Sequence, residues 1–280
     1  MTPQQALHSA PVQRITLAQG VMGFRRVGQA PQVSHVLLHG IGSASASWAY
    51  QLAAAAASPA HQVLAWDAPG YGDSTPVLAA QPNADDYAQR LWDWLDALSV
   101  TSPVTLVGHS LGALMAARAA RRRPERVRRV VLLAPANGYG DAAPDERERV
   151  RHTRLDNMQR LGPSGMAQAR AAAMLTPDAR ADWLDAVRET MAQVHPAGYT
   201  QAVHLLVGGC LTEDVRALTL PVQVASGDAD TVTPPAACDR VAQAAGVARV
   251  GLGAVGHACA LQAAAAVNAL LDLPPWSESP

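Results

Sequence analysis

The chain predicts an α/β fold: a mostly parallel sheet with helices on both faces and a helical segment inserted before its last strands. Three observations predict it. Short β-branched runs alternate with helical segments through the first half of the chain, the pattern that successive βαβ units produce. That rhythm stops near Gly138 and resumes at Pro221. In addition, Gly108-His109-Ser110-Leu111-Gly112 directly follows the apolar run Val104-Thr105-Leu106-Val107, so a strand passes through a tight turn carrying a serine and enters a helix. The 280 residues, 49% hydrophobic and 16% charged, hold enough apolar material for a sheet covered on both sides.

Taken in order, Arg14–Leu17 and Gly23–Val27, joined around Ala18-Gln19-Gly20, predict an opening β-hairpin. Strands follow at Val33–Leu38, Val63–Trp66, Val104–Val107 and Val127–Leu133, with helices at Ser45–Ala57, Asp85–Leu98 and Leu111–Arg122. On the second of these helices Trp92 and Leu95 lie three apart, and Trp94 and Leu98 four apart. That spacing faces them to the sheet as packing, not as ligand platforms. Consecutive helices are then expected at Ala142–Leu161, Ser164–Leu175, Asp178–Val194 and Pro196–Val207, punctuated by Gly162-Pro163, Thr176-Pro177 and His195-Pro196. Thr176 or Asp178 should cap the third, with Pro177 tolerated in its first turn. Pro221–Ser226 restores the sheet. The expected organisation is a core of residues 1–137, a helical cap of 138–217 and a second core part of 218–280, with Leu273–Pro280 as a frayed tail.

Composition narrows the partners. The formal net charge is −1, so no basic field exists to hold a nucleic acid backbone. The cluster Arg121-Arg122-Arg123, with Arg126, Arg128 and Arg129, reads as a solvated helix end complementing the negative pole of the helix dipole. No basic-plus-apolar leader and no uninterrupted apolar run of membrane length are visible, so no membrane partner is expected. Cys210, Cys238 and Cys259 lack ligand spacing and are odd in number, which points to free thiols in a reducing, cytoplasmic setting. There is no H-E-x-x-H, no C-x-x-C and no Walker or dinucleotide glycine layout. Neither a metal nor a cofactor is expected, and the partner is a small molecule.

The serine turn has companions in a fixed order. Gly227-Asp228-Ala229-Asp230 follows the Pro221 strand, and a later apolar run ends in Gly253-Ala254-Val255-Gly256-His257. Upstream, His39-Gly40-Ile41-Gly42 follows a strand, and Trp66-Asp67-Ala68-Pro69-Gly70-Tyr71-Gly72-Asp73-Ser74 follows the next. With these motifs the chain resembles the α/β-hydrolase superfamily over nearly its whole length, in the serine-nucleophile branch with a helical cap. The resemblance implies that Ser110 is the nucleophile, His257 its base and Asp230 the acid that orients the imidazole. It also implies that the backbone N–H groups of Ile41 and Leu111 form the oxyanion hole. Asp228 competes for the acid's role; Asp230 is preferred because it fits G-x-x-D with a proline four residues on. The other position used for the acid in relatives reads Ala134-Pro135-Ala136-Asn137 and offers no charge. His39 is read as a brace for its loop, and Asp67 as a turn-former rather than a second acid.

Serine rather than aspartate at the turn sets the chain apart from the dehalogenase and epoxide hydrolase branches it also resembles. The loop from His39 to Trp48 has the length and closing tryptophan of the C–C hydrolases. Their asparagine beside the nucleophile is His109 here, however, and Ala258-Cys259-Ala260-Leu261 offers no counterpart to their tryptophan after the catalytic histidine. The resemblance therefore favours a carboxylic ester hydrolase acting on a small, largely apolar ester or lactone through an acyl-enzyme. C–C hydrolase, perhydrolase, acyltransferase and non-catalytic binding roles remain open. Gly40, His109, Met158, Met166, Met174, Trp183 and Met191 are the candidates for the pocket wall. The methionines equally suit gap-filling against the core.

Overall fold

The computed structural model describes residues 1–275; the outer part of the expected frayed tail, residues 276–280, lies outside them. The sheet is built from β1 (Val12–Leu17), β2 (Gly20–Gly28), β3 (His35–Leu38), β4 (Gln62–Trp66), β5 (Val104–His109), β6 (Val127–Leu133), β7 (Val222–Ser226) and β8 (Arg249–Gly251). Its order is β1-β2-β4-β3-β5-β6-β7-β8. β2 is antiparallel to β1 and β4, and every later pair is parallel. β3 and β4 are buried along their whole length, which is why they read as unbroken apolar runs and not as alternating ones. The chain steps from β3 to β4 on one side and returns to β5 on the other. A crevice forms where the strand order reverses, beyond the carboxyl ends of β3 and β5. His39-Gly40 and Ser110 sit at those two ends.

The helices follow the expected rhythm with local differences. α1 (Pro3–Leu7) opens the chain. A tight turn at Ser45–Trp48 leads into α2 (Ala49–Ala56) where one helix was expected. α3 (Ala84–Ala97) begins with a capping box between Asn83 and Asp86. Its Trp92 and Trp94 are buried, and Trp94 meets Phe24 at 5.5 Å and Trp66 at 6.2 Å, so both serve packing. α4 (Gly112–Arg122) leaves the serine turn. The arginines at its end do more than meet water: Arg118 and Arg121 hold the fully buried Asp214 at 2.9 and 3.1 Å. Arg123 and Arg126 pair with Asp96 and lie over the Trp92 ring.

Between β6 and β7 the chain is helical: α5 (Pro144–Arg170), α6 (Ala181–Ala192), α7 (Pro196–Gly208) and α8 (Leu211–Arg216). Gly162-Pro163 kinks α5, with Gly162 at φ +63°, where two helices were expected. Residues 176–180 form a connection, because α6 starts only after Arg180; neither Thr176 nor Asp178 caps it. The Thr176 hydroxyl instead accepts from Gln262 at 2.7 Å, tying this connection to the core. α9 (Pro235–Ala244), α10 (Cys259–Gln262) and α11 (Ala264–Leu270) complete the chain. Leu271 and Leu273 are buried, so the packed chain extends beyond the expected start of the tail. Among the described residues, no helix is long and apolar enough to cross a membrane, and the three cysteines carry free thiols.

Candidate active site

Ser110 stands on β5's exit with φ +52°, a left-handed conformation that costs about 1–3 kcal/mol for a residue with a Cβ. The surrounding contacts hold it there. Its N–H donates to Leu133 O at 3.0 Å, and its carbonyl accepts from Ala136 N at 3.2 Å. The turn requires its two glycines: a Cβ on Gly108 would meet Gly112 O at 2.5 Å, and one on Gly112 would meet Leu38 O at 2.2 Å. The loop after β3 is equally close, since a Cβ on Gly40 would meet Ser110 Cβ at 2.9 Å. The amides of Ile41 and Leu111 find no protein acceptor among the described residues.

His257 lies on the loop between β8 and α10. Its Nδ1 donates to Asp230 Oδ2 at 2.9 Å, which leaves the lone pair on Nε2. Asp230 is buried and accepts three further hydrogen bonds: at Oδ1 from Val232 N (2.7 Å) and Thr233 N (3.0 Å), and at Oδ2 from Thr233 Oγ1 (2.8 Å). Burial works to raise this carboxyl, but the hydrogen bonds and charge of His257, with those of Thr233, outweigh it and hold the group below the ordinary carboxylate range. Asp228, two residues earlier, points elsewhere and is half-exposed in an ion pair with Arg249 at 2.9 Å. Thr233 was not singled out in the sequence, although a threonine three residues after an aspartate is the local signature of such a turn. Its hydroxyl also lies 3.0 Å from Ala134 O and 3.2 Å from His257 Nδ1.

Two further histidines frame this cluster. His109 Nε2 donates to the carbonyl of His257 at 2.8 Å, with the rings 4.8 Å apart. Burial, then the neighbouring imidazole, pushes His109 down to about 3, so it is neutral at physiological pH. His39 Nε2 accepts from Ala68 N at 2.9 Å, so the proton sits on Nδ1, which donates to Gly40 O at 2.8 Å. The ring thus clamps the Gly40 loop to the turn after β4, and burial lowers its basicity. Asp67 fastens the same region by accepting from Ser45 N at 2.8 Å.

Ser110 and His257 open into one cavity of about 450 Å³, roofed by α5, α6 and α7. Gly40, His109, Met166, Met174 and Met191 all line it. Met158 and Trp183 do not. Met158 faces the hydrophobic core instead. Trp183 donates its Nε1–H to Tyr50 Oη at 2.9 Å and packs on α1 and α2, which turns it away from the cavity. Large apolar side chains spread over these helices suit a roof as a set, but their presence does not say which face of each helix is turned inward. Among the described residues, no cluster of three or more potential metal ligands occurs.

A profile of the alpha/beta hydrolase fold matches residues 36–263, a span that begins within β3 and includes Ser110, Asp230 and His257. The chain belongs to the α/β hydrolase fold family. Among curated relatives of this α/β hydrolase is RutD from Klebsiella pneumoniae strain 342, whose name proposes carbamate hydrolysis. It is 32% identical over 249 residues, covering 84% of this chain and 88% of that protein. Solved structures of similar fold include an enol-lactonase from Burkholderia xenovorans LB400, with TM-score 0.79, 22% identity and coverage of 93% of this chain and 98% of that one. A thermophilic esterase from Thermogutta terrifontis superposes with TM-score 0.80 at 19% identity, covering 94% and 97%. At those identities the two structures speak for the fold alone.

Proposed function

We propose that this protein is a serine hydrolase cleaving a small carboxylic ester or lactone with a largely apolar body, through an acyl-enzyme on Ser110. The observation that carries the reading is the hydrogen bond from His257 Nδ1 to the buried Asp230 at 2.9 Å. It leaves a basic Nε2 in the same cavity as a serine held at φ +52°. In this reading His257 Nε2 takes the Ser110 proton as Oγ attacks the carbonyl carbon. The amides of Ile41 and Leu111 receive the developing oxyanion. His257 then protonates the departing alcohol, and water repeats the sequence to release the acid. The segment 138–217 acts as a cap whose inner faces choose the substrate while the core performs the chemistry. Carbamate cleavage, the activity proposed in RutD's name, uses the same attack on an acyl carbon.

C–C bond hydrolysis is the second reading, favoured by Trp48. This residue is fully buried, lines the cavity and stands edge-on to His109 at 6.3 Å. Assay of esters, lactones, carbamates and dienoic ring-cleavage products side by side separates the two. Ser110→Ala and His257→Ala should each lower ester turnover by several orders of magnitude, and the double variant should lie within about tenfold of either, since groups that act as a unit are not additive. Losses that multiply would overturn the triad, and a fluorophosphonate that fails to label Ser110 would point to a binding protein.

A further inference from the structure

A smaller cavity of about 190 Å³ adjoins the main one between α5 and α7. Five residues line both: Tyr139, Arg154, Met166, Arg170 and Tyr199. Arg149 also lines the smaller cavity, and no aspartate or glutamate does. Arg154 is half-buried and forms no ion pair or hydrogen bond among the described residues. Three of the four acids of its own helix are engaged elsewhere, Glu146 with Arg149, Glu148 with Arg151 and Asp156 with Arg160; the fourth, Asp145, stands in the first turn, nine residues before Arg154, and lines neither cavity. Arg170 is likewise unpaired, though exposed. In the main cavity Asp141, an exposed residue ahead of α5, is the one acid among the lining residues.

A guanidinium drawn partly out of water gains from a counter-charge, and the protein supplies none to Arg154 among the described residues, so an anionic group of a ligand in the cavity would meet an available partner. The planar fork of arginine matches a carboxylate with two parallel hydrogen bonds. Tyr139 and Tyr199, whose phenols hydrogen-bond to no protein group among the described residues, line both cavities as well. Ser110, on the turn after β5, and Arg154, on α5, both line the main cavity, whose wall also carries Met166, Met174 and Met191. We propose that the natural substrate carries a free carboxylate remote from the bond to be cleaved, and that Arg154, assisted by Arg170, binds it. This rests on the serine hydrolase reading and narrows its substrate to an acid-bearing ester or lactone: an apolar body with an anionic far end.

The test compares two aryl esters of equal acyl length, mono-para-nitrophenyl glutarate and para-nitrophenyl pentanoate. Wild type should prefer the acid-bearing ester, and Arg154→Met should lower the ratio of the two kcat/KM values by roughly 10- to 100-fold, mainly through KM. Arg154→Lys should restore part of that preference. Arg160→Met, on an exposed arginine of the same helix, should leave the ratio unchanged. A second arm needs no turnover: calorimetry of glutarate with the Ser110→Ala protein should show binding, which Ser110→Ala/Arg154→Met loses. An unchanged ratio in Arg154→Met, or absent or Arg154-independent glutarate binding, overturns the inference. Hydrolysis surviving in Ser110→Ala overturns the catalytic reading instead, and the glutarate arm still reports on Arg154.

Discussion

Both oxygens of Asp230 are occupied, two bonds on each, and this has a consequence that a count of carboxylates in the sequence does not reveal. An asparagine at this position keeps one oxygen for the Val232 and Thr233 amides, but its NH₂ then faces His257 Nδ1–H. The imidazole must move its proton to Nε2, which removes the lone pair from that nitrogen, or give up the contact, which frees the ring from its fixed orientation. Asp230→Asn should therefore cost roughly 10³–10⁴-fold in turnover with folding retained. Asp228→Asn removes only a half-exposed ion pair with Arg249, worth little to stability, and should stay within about threefold of wild type in turnover. Steady-state kinetics of the two purified variants decides it, and the reverse ranking would assign the acid's role to Asp228. The sequence already favoured Asp230, because a turn of G-x-x-D form places the second acid away from the strand. Thr233, three residues on, bonds the same carboxylate locally and was within reach of that reasoning; its contacts with Ala134 O and His257 Nδ1 join segments far apart in the chain and were not.

At the level of elements, the strands and early helices were legible because each buried strand is a compact apolar run bounded by polar turns. The helical segment between β6 and β7 was less so. α5 is largely polar with few buried residues, while α7 is apolar and buried along most of its length, so the pattern located these helices without saying which side lines the cavity; Met166, Met174 and Met191 line it while Met158 and Trp183 do not. The seating of α7 depends on a feature no pattern signals, a backbone contact between two glycines. Gly70 has φ +81°, and a Cβ on Gly198 would lie 2.0 Å from Gly70 O. Neither backbone atom can give way as a flexible side chain would. Gly198→Ala should thus push α7 off the turn after β4, costing about 1–3 kcal/mol in stability and raising KM, because Tyr199 and Leu206 of that helix line the cavity. Gly208→Ala on the same helix meets nothing within 4 Å and should stabilise by about 0.5–1 kcal/mol. Denaturant melts of both variants, with KM alongside, check the pair; equal effects would mean that α7 is not pinned there.

For the molecule as a whole, the same tight core that positions the site makes the fold sensitive to acid, through imidazoles held neutral by burial. His35 begins β3 in the centre of the sheet, with Nε2 buried and unpartnered and Nδ1 2.9 Å from Ser34 Oγ. Burial is the main cause that pushes it down to about 4. His61, with its ring 5.9 Å away, and the Arg129 charge add to this, while the Leu271 backbone and Asp272 oppose it. Because the folded value lies below the unfolded one near 6.5, the unfolded chain binds the extra proton first. The stability is complete above about pH 6.5 and is lost as pH falls toward about 4, by about 3 kcal/mol for this residue. His109, pushed down to about 3, continues the loss lower still, and Asp230, held below the ordinary carboxylate range, adds its own in stronger acid. Against a typical total of about 5–15 kcal/mol, these terms place acid unfolding in the range set by the histidines rather than by the carboxylates alone. Unfolding free energies from urea melts at pH 7 and pH 4 should differ by about 3 kcal/mol less in His35→Gln than in wild type. Parallel losses in the two proteins would show that His35 is solvated or paired in the acid-exposed fold, and that the sensitivity lies elsewhere.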